Sequence, residues 1–265
     1  MLPPLLVGAR SRGAAAALAA AVFALGGCST TAGPSAGAQT AATATARPTP
    51  PSLWIGNAPF FASRWPRAFL DAPLPAPAKF IDGHPVVYLT FDDGPSPSET
   101  LALLHVLARH HAKATFFVIG ESAAAFPWIV RSEIAAGDTV GGHSWTHPHL
   151  IVLSRAAVTA QLSSTSQLIR SLGAPARCFR PPYGQTDALV ASVAASLHLR
   201  QYLWTTITND FTRASVSADL TRALEGLHPG AILVFHDWVP QALQAVDELL
   251  SVADAQGYVA AGLPC

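Results

Sequence analysis

Short apolar runs rich in β-branched and aromatic residues alternate along the chain with stretches whose apolar residues recur at helical spacing. The runs predict strands at residues 86–91, 115–119, 139–142, 177–180, 201–208, 231–235 and 258–260. The helical spacing covers residues 98–110, 121–136, 154–172, 187–197, 217–227 and 240–255. Helix starts are marked by the candidate N-caps Ser98, Ser154, Asp187 and Ser217, and helix ends by Gly137 and Gly173.

Strands that alternate with helices predict an α/β protein with a parallel sheet. Such strands are covered on both faces, which explains why the apolar runs are continuous rather than alternating. Residues 80–262 contain the seven runs, whereas a complete eight-stranded barrel typically needs about 250 residues. We therefore expect a distorted, incomplete (β/α) barrel of about seven parallel strands, with an open doubly wound sheet as the alternative.

The beginning of the chain departs from this pattern. Two arginines precede a mostly Ala stretch at residues 13–27, as in a secretory signal peptide, and the stretch is too short to span a membrane. It ends in Leu-Gly-Gly-Cys at Cys28, which resembles the bacterial lipobox. We expect a signal peptide at residues 1–27 and a lipid on Cys28, with ordinary secretion as the alternative.

Three further segments complete the predicted organisation. Residues 28–52 hold the lipidated cysteine and a tether of Ser, Thr, Ala, Pro and Gly, which bury too little apolar surface to fold. Residues 53–79 are expected to be an extension that packs on the domain, and residues 80–265 the folded domain itself. The protein would then be exported and anchored in the bacterial cell envelope, on the periplasmic or outer face of a membrane.

Composition narrows the classes of function. Hydrophobic residues make up 50% and charged residues 12% of the chain, against about 25% charged in an average domain. The mean hydropathy of +0.33 suggests a membrane protein. A membrane-spanning helix needs about 20 apolar residues, however, and no apolar run past residue 28 is that long. Sixteen basic and sixteen acidic residues cancel, so no nucleic-acid partner is expected. We expect a monomer.

Residues with catalytic chemistry follow the ends of the predicted strands. In chain order they are Asp92 and Asp93, His143, Arg180, Asp210 and His236. Because the carboxyl ends of parallel strands meet on one face of a barrel or sheet, these side chains should converge on one mouth.

A metal site is the first chemistry that this set suggests. His143 and His147 are spaced i, i+4, which predicts two imidazoles on one face of a short helical turn ended by Pro148. Two histidines and a carboxylate leave positions open, as in a catalytic zinc site. Ser144 stands where a zincin protease needs Glu, so that class is not expected. His149 is a third candidate, expected at the rim.

Adjacent carboxylates could divide two tasks. The side chains of Asp92 and Asp93 should diverge, so one could bind the ion while the other accepts a proton from water. Gly94 would relieve crowding where the backbone approaches the metal. The alternative is that Asp-Asp-Gly-Pro is only a turn and helix cap.

The remaining candidates suggest an oxyanion donor, a partner for a carboxylate and a general acid. Two prolines stiffen residues 180–184, so the Tyr183 N–H is a candidate oxyanion donor, and Arg180 could keep a carboxylate ionised. His236 could be a general acid if the neighbouring Asp210 raised its pKa. The alternatives are a Pro-rich turn with a solvated Arg and a structural His.

Four segments, in order, resemble the motifs of the polysaccharide deacetylases, the NodB-homology domain of carbohydrate esterase family 4. They are TFDDGP at residues 90–95, HSWTHP at 143–148, RPPYG at 180–184 and LVFHD at 233–237. The resemblance implies a distorted (β/α) barrel that hydrolyses N-acetyl, or O-acetyl, groups on a cell-envelope or extracellular polysaccharide. It also implies a divalent metal, with Zn²⁺ expected before Co²⁺ or another ion.

The resemblance assigns a role to each candidate. The metal ligands would be Asp93, His143 and His147. Asp92 would be the general base, and Arg180 would position it. His236 would be the general acid, and the Asp210 carboxylate would tune its pKa. The Tyr183 N–H would be the oxyanion donor.

The fourth family motif departs from the pattern W-x-x-D-x-x-D-W. Trp204 and Asp210 are kept, whereas Ile207 replaces the first Asp and Phe211 the last Trp. The change leaves the glycan undetermined and supports an alternative, a catalytically silent glycan-binding lipoprotein on the same fold. A small-molecule amidase is a third hypothesis, which export and a lipid anchor argue against.

Two cysteines remain besides Cys28. Cys178 and Cys265 could form a disulfide in an exported protein, or Cys178 could be buried and Cys265 free.

Overall fold

The computed structural model describes residues 72–265. The predicted signal peptide (1–27), the lipidated Cys28 with its tether (28–52) and residues 53–71 of the predicted extension lie outside the described residues. Within residues 72–265, no helix is both long enough and apolar enough to cross a membrane.

Seven parallel strands form a curled, open sheet in the order β6-β5-β4-β3-β2-β8-β7. They are β2 (His84–Asp92), β3 (Ala114–Val118), β4 (Thr139–Gly142), β5 (Cys178–Phe179), β6 (Arg200–Gln201), β7 (Thr206–Ile207) and β8 (Ala231–His236). Two short strands also pair with β2, β1 (Phe80–Ile81) antiparallel and β9 (Val259–Ala260) parallel. The predicted incomplete (β/α) barrel is confirmed.

Within residues 72–265, seven α-helices connect the strands. They are α1 (Thr100–Arg109), α2 (Gly120–Ala125), α3 (Pro127–Ala136), α4 (Arg155–Leu172), α5 (Ala188–Ser196), α6 (Val216–Glu225) and α7 (Pro240–Ala255). The N-caps Ser154 and Asp187 are confirmed, because their side chains accept hydrogen bonds from Ala157 N and Val190 N. Gly137 ends α3 in the left-handed conformation, at φ 84°.

Three predicted helix boundaries are wrong. The stretch 121–136 divides into two helices because Pro127 has no N–H to continue the first and instead begins the second. Glu99, not Ser98, precedes α1, and no side chain caps it. Ser215 rather than Ser217 caps α6, by accepting a hydrogen bond from Ala218 N.

The predicted strand at 201–208 is also wrong as one element. Its first residue, Gln201, belongs to β6, and Thr206 and Ile207 form β7. The strands β6 and β7 lie at opposite ends of the sheet path. The chain therefore crosses from one edge to the other, and Trp204 lies on this crossing. Only long-range pairing separates the two halves, so local propensity could not reveal the break.

The central strand β2 is buried on both faces. Val87, Leu89 and Phe91 pack into the larger apolar cluster, and Val86 and Tyr88 pack into a smaller one on the other face. Two-sided burial of this kind gives a continuous apolar run that ends where β2 reaches Asp92.

The described part of the predicted extension, residues 72–79, contacts the sheet. Backbone carbonyls of Ala72 and Leu74 accept hydrogen bonds from Arg177 and Arg200, and Tyr88 Oη donates to the Ala78 carbonyl at 3.0 Å.

A disulfide joins Cys178 in β5 to Cys265, across a sequence separation of 87 residues. We expect the Cys178→Ser/Cys265→Ser double variant to lose about 4–5 kcal/mol of unfolding free energy, because an open chain gains loop entropy when it unfolds. Urea denaturation of the oxidised protein and of the variant measures the difference, and reduced wild-type protein should match the variant. Free thiols at both positions in denatured, unreduced protein would contradict the bridge.

Candidate active site

The carboxyl ends of β2, β4 and β8, the loop after β5 and the turn after β7 surround a cavity of about 430 Å³. Its walls include six candidates: Asp92, Asp93, His143, His147, Tyr183 and His236. The other two, Arg180 and Asp210, bond directly to Asp92 and His236. All eight candidates therefore lie in one place, at the mouth where the strand ends converge.

Three of these side chains form a possible metal-binding group. Asp93 Oδ1 lies 3.4 Å from His143 Nε2 and 3.2 Å from His147 Nε2, and the two Nε2 atoms are 3.2 Å apart. This carboxylate oxygen is buried without a hydrogen-bond partner among the described residues. Two imidazoles and one carboxylate are a donor set that suits a divalent cation with open positions.

The backbone also sets which ring nitrogen is protonated in one candidate ligand. His143 Nδ1 lies 2.8 Å from the Arg180 carbonyl oxygen, which can only accept. His143 Nδ1 therefore carries the proton, and the lone pair of Nε2 faces the group formed with Asp93 and His147.

The loop that carries the two histidines is not the predicted helical turn. Ser144 and His147 both adopt left-handed backbone conformations, at φ 62° and 57°. Gln161 Oε1, from α4, accepts hydrogen bonds from Trp145 N and Thr146 N at 2.8 and 2.9 Å. Contacts with another element therefore bring the imidazoles together. The i, i+4 spacing of the two histidines could not reveal these contacts.

Asp92 ends β2 and pairs with a fully buried Arg180. Arg180 Nη1 lies 2.8 Å from both Asp92 Oδ1 and Thr90 Oγ1, and its carbon Cζ is 4.3 Å from the Phe117 ring centroid. Burial raises the pKa of Asp92, but the charges of Arg180, His143 and His236 and the hydrogen bond from Arg180 together outweigh burial, and the pKa is lowered. Asp92 is therefore ionised at neutral pH.

His236 ends β8 against a buried carboxylate. His236 Nδ1 donates to Asp210 Oδ1 at 2.8 Å, and His236 N donates to Asp210 Oδ2 at 2.7 Å. Burial lowers the pKa of His236, but the hydrogen bond and charge of Asp210 outweigh it and raise the pKa to about 9. The imidazole is therefore protonated at neutral pH, with Nε2 4.0 Å from Asp93 Oδ2.

In Asp210→Asn we expect the pKa of His236 to fall from about 9 toward its ordinary value of 6.5, although the charges of Asp92 and Asp93 continue to raise it. The amide removes the negative charge while burial still disfavours the imidazolium. Histidine ring NMR titration measures this in chelated protein, because a nearby divalent cation would itself lower the pKa. The exposed His105 is the internal control, and an unchanged His236 titration would contradict the coupling.

The backbone N–H of Tyr183 is available to donate a hydrogen bond. Its φ of 60° is left-handed, and no acceptor among residues 72–265 bonds to its N–H. The ring stacks on His149 with centroids 4.1 Å apart and meets the edge of His147 at 4.6 Å. His149 is exposed at the rim, as expected, and its Nδ1 lies 2.8 Å from Gln185 Oε1.

Two functional neighbours were missed from the sequence. Trp238 lines the cavity, and its Nε1 donates to Asp93 Oδ2 at 3.2 Å. The buried Asp237 accepts a hydrogen bond from Thr100 Oγ1 at 2.6 Å and packs against Gly94, where an added Cβ would lie 2.0 Å from Asp237 Oδ2. Gly94 therefore makes room for Asp237, which corrects the expectation that it makes room for the metal.

Comparison with known proteins identifies the class. A family model described as polysaccharide deacetylase matches residues 81–202, which include β2 to β6 with Asp92, Asp93 and both candidate histidine ligands. The chain belongs to the polysaccharide deacetylase family, the NodB-homology enzymes of carbohydrate esterase family 4. Members of this family are metal-dependent hydrolases.

Three relatives illustrate the range of the family. The chain is 34% identical over 197 residues to a chitooligosaccharide deacetylase of Sinorhizobium fredii, covering 69% of this chain and 92% of that protein. It is 36% identical over 173 residues to the peptidoglycan-N-acetylglucosamine deacetylase PgdA of Listeria monocytogenes, covering 65% of this chain but 36% of that longer protein. The solved structure of a family 4 carbohydrate esterase from Streptomyces lividans, in complex with acetate, superposes with a TM-score of 0.63 at 36% identity, covering 66% of this chain and 91% of that one.

Proposed function

We propose that the protein removes acetyl groups from N-acetylated sugars of a cell-envelope or extracellular polysaccharide, by hydrolysis that depends on a divalent metal. O-acetyl groups are the alternative substrate bonds. The observation that carries the proposal is the placement of an ionised Asp92 and a protonated His236 on the same cavity as the Asp93, His143 and His147 group. The printed names of the relatives support an acetylated glycan as the substrate class.

The metal would be held by Asp93, His143 and His147, with Zn²⁺ as the first candidate and Co²⁺ as the second. When bound, it would supply Lewis-acid polarisation of a water molecule and of the acyl oxygen. Trp238 would orient one ligand, because its Nε1 donates to Asp93 Oδ2, while Asp93 Oδ1 is the oxygen next to His143 and His147.

Asp92 is the proposed general base. An attacking water would transfer a proton to Asp92 Oδ2, since Oδ1 already accepts a hydrogen bond from Arg180. Arg180 keeps this carboxylate ionised and fixes its orientation, so it is a positioning residue.

His236 is the proposed general acid. Protonated at Nε2 and oriented through Nδ1 by Asp210, it would donate a proton to the leaving amine nitrogen. The Tyr183 N–H would donate to the oxygen on which negative charge develops. The two preceding residues are prolines without amide protons, so Tyr183 supplies the first backbone donor after Arg180 in this loop.

Aromatic side chains would hold the sugar. Trp204, Phe211 and Trp238 line the cavity, and Phe211 meets the edge of the His236 ring with centroids 5.3 Å apart. Phe211 therefore offers a ring beside the catalytic acid where the family motif has Trp, while Ile207 adds apolar wall in place of a carboxylate.

We further propose that the protein is exported as a monomer and anchored through a lipid on Cys28. This rests on the sequence of residues 10–28 alone. In a bacterial host, a Cys28→Ser variant should lose fatty-acid labelling and move from the membrane to the soluble exported fraction. Labelling that persists in the variant would contradict the anchor.

Acetate release tests the activity. Chitin oligomers, peptidoglycan, poly-N-acetylglucosamine and acetylxylan are offered to the protein with and without a chelator. We expect release on at least one N-acetylated glycan, its loss with chelator and its return with Zn²⁺ or Co²⁺. Glycan binding without acetate release on any substrate would instead support the silent glycan-binding lipoprotein.

A further inference from the structure

Arg213 lies over Trp238, a residue of the cavity wall, and is a cation without an anionic partner among the described residues. It is exposed, and among residues 72–265 no carboxylate forms an ion pair with it, whereas Arg109, Arg180 and Arg222 each have one. An arginine held near a reaction centre and left unpaired is available to an anion that arrives with the substrate.

The backbone ties Arg213 to the catalytic turn. Its N–H donates to the Asp210 carbonyl at 2.8 Å, and its φ of 54° is left-handed. The same short turn, Asp210–Thr212, carries the carboxylate that bonds to His236. The position of the Arg213 backbone is therefore set by the structure that positions the proposed acid.

The side chain lies over an aromatic ring of the cavity wall. Arg213 Cζ is 5.2 Å from the centroid of the Trp238 ring, whose Nε1 donates to Asp93 Oδ2. The Trp238 ring is in turn 6.1 Å from the His236 ring, centroid to centroid. One indole thus separates the guanidinium from the group proposed to bind metal. Packing on a ring restricts a guanidinium and leaves its N–H edge free for a planar anion.

We propose that Arg213 and Trp238 form a subsite for a carboxylate borne by the glycan next to the sugar that is deacetylated. This rests on the proposed function and narrows its substrate to acidic glycans, such as those whose amino sugars carry a lactyl ether acid. Neutral chains of N-acetylglucosamine would bind without this contact. A guanidinium recognises a carboxylate by two parallel hydrogen bonds, which an ester of the same carboxyl group cannot replace.

The test uses a matched pair of substrates. One is an oligosaccharide of alternating N-acetylglucosamine and N-acetylmuramic acid, and the other is the same oligosaccharide with its lactyl carboxyl groups methylated. We expect wild-type kcat/KM to be about tenfold or more higher on the acid, the size of a charge-assisted hydrogen bond. In Arg213→Gln the two values should converge, and in Arg213→Lys part of the preference should return. Arg131→Gln, which removes an exposed arginine of α3, should keep the full preference.

Two results would overturn the subsite: equal kcat/KM values for acid and ester in the wild type, or the same preference in Arg213→Gln. Calorimetric binding of both oligosaccharides to the wild type and to Arg213→Gln separates this failure from failure of the proposed function. If no substrate is hydrolysed, tighter binding of the acid that is lost in Arg213→Gln still supports the subsite, and equal binding refutes it. A further contrary result would be that free acetate inhibits the wild type but not Arg213→Gln, while the wild type shows no preference for the acidic oligosaccharide over its ester. That result would show that Arg213 binds the acetate product rather than the glycan, and it would also refute the proposal.

Discussion

Replacing Asp92 by Asn is expected to abolish deacetylation in a protein that still binds metal. The amide keeps the volume of the side chain and an oxygen for Arg180, which lies 2.8 Å from Asp92 Oδ1, but it cannot accept a proton from water. Because the proposed ligand group is Asp93, His143 and His147, we expect the metal content not to change. We expect kcat/KM to fall by about 10²–10⁴-fold, measured by acetate release, with bound metal measured by mass spectrometry.

Asp138→Asn is the matched control for that variant. Asp138 precedes β4 at its amino end, opposite the site, and its Oδ1 accepts a hydrogen bond from Ala114 N at 2.9 Å, which an amide oxygen can also accept. This variant should keep wild-type turnover. Wild-type turnover in Asp92→Asn would refute the base assignment, and loss of metal together with turnover would place Asp92 among the ligands instead.

The sequence predicted the parts of this site that depend on strand ends. A strand buried on both faces has a continuous apolar run, so the first polar residue after it marks the end of the strand, as at Asp92 and His236. In a parallel sheet such ends share one face. The placement of the candidates on a single mouth therefore followed from periodicity before any contact was known.

The parts that could not be predicted depend on contacts between distant segments. The left-handed backbone of Ser144 and His147 is held where α4 presents Gln161 to the loop. Asp237 is buried because Thr100 hydrogen bonds to it and Gly94 leaves it room. No local pattern encodes these pairings.

Trp238 had a usable signal that was missed. It lies two residues after His236, in the turn that follows β8, so a ring close in sequence to the predicted acid was a candidate for the same mouth. At the other wall Tyr183 and His149 stack, and no local pattern predicts this contact because the two residues lie in separate segments of the chain.

Removing His143 is expected to cost both the metal and the activity. Its Nε2 lies 3.4 Å from Asp93 Oδ1 and 3.2 Å from His147 Nε2, and its Nδ1 is fixed by the Arg180 carbonyl. In His143→Ala only two of the three ligands remain, so we expect metal affinity to fall by more than about 100-fold, since losing a group that merely orients a ligand costs about 10–100-fold. Calorimetric metal titration measures the affinity and acetate release the activity, with His105→Ala, an exposed histidine of α1, as the control. Wild-type metal affinity in His143→Ala would show that the ion binds elsewhere. Loss of metal in His143→Ala together with its retention in Asp92→Asn would support the proposed roles, in which Asp93 and the two imidazoles bind the metal and Asp92 is the base.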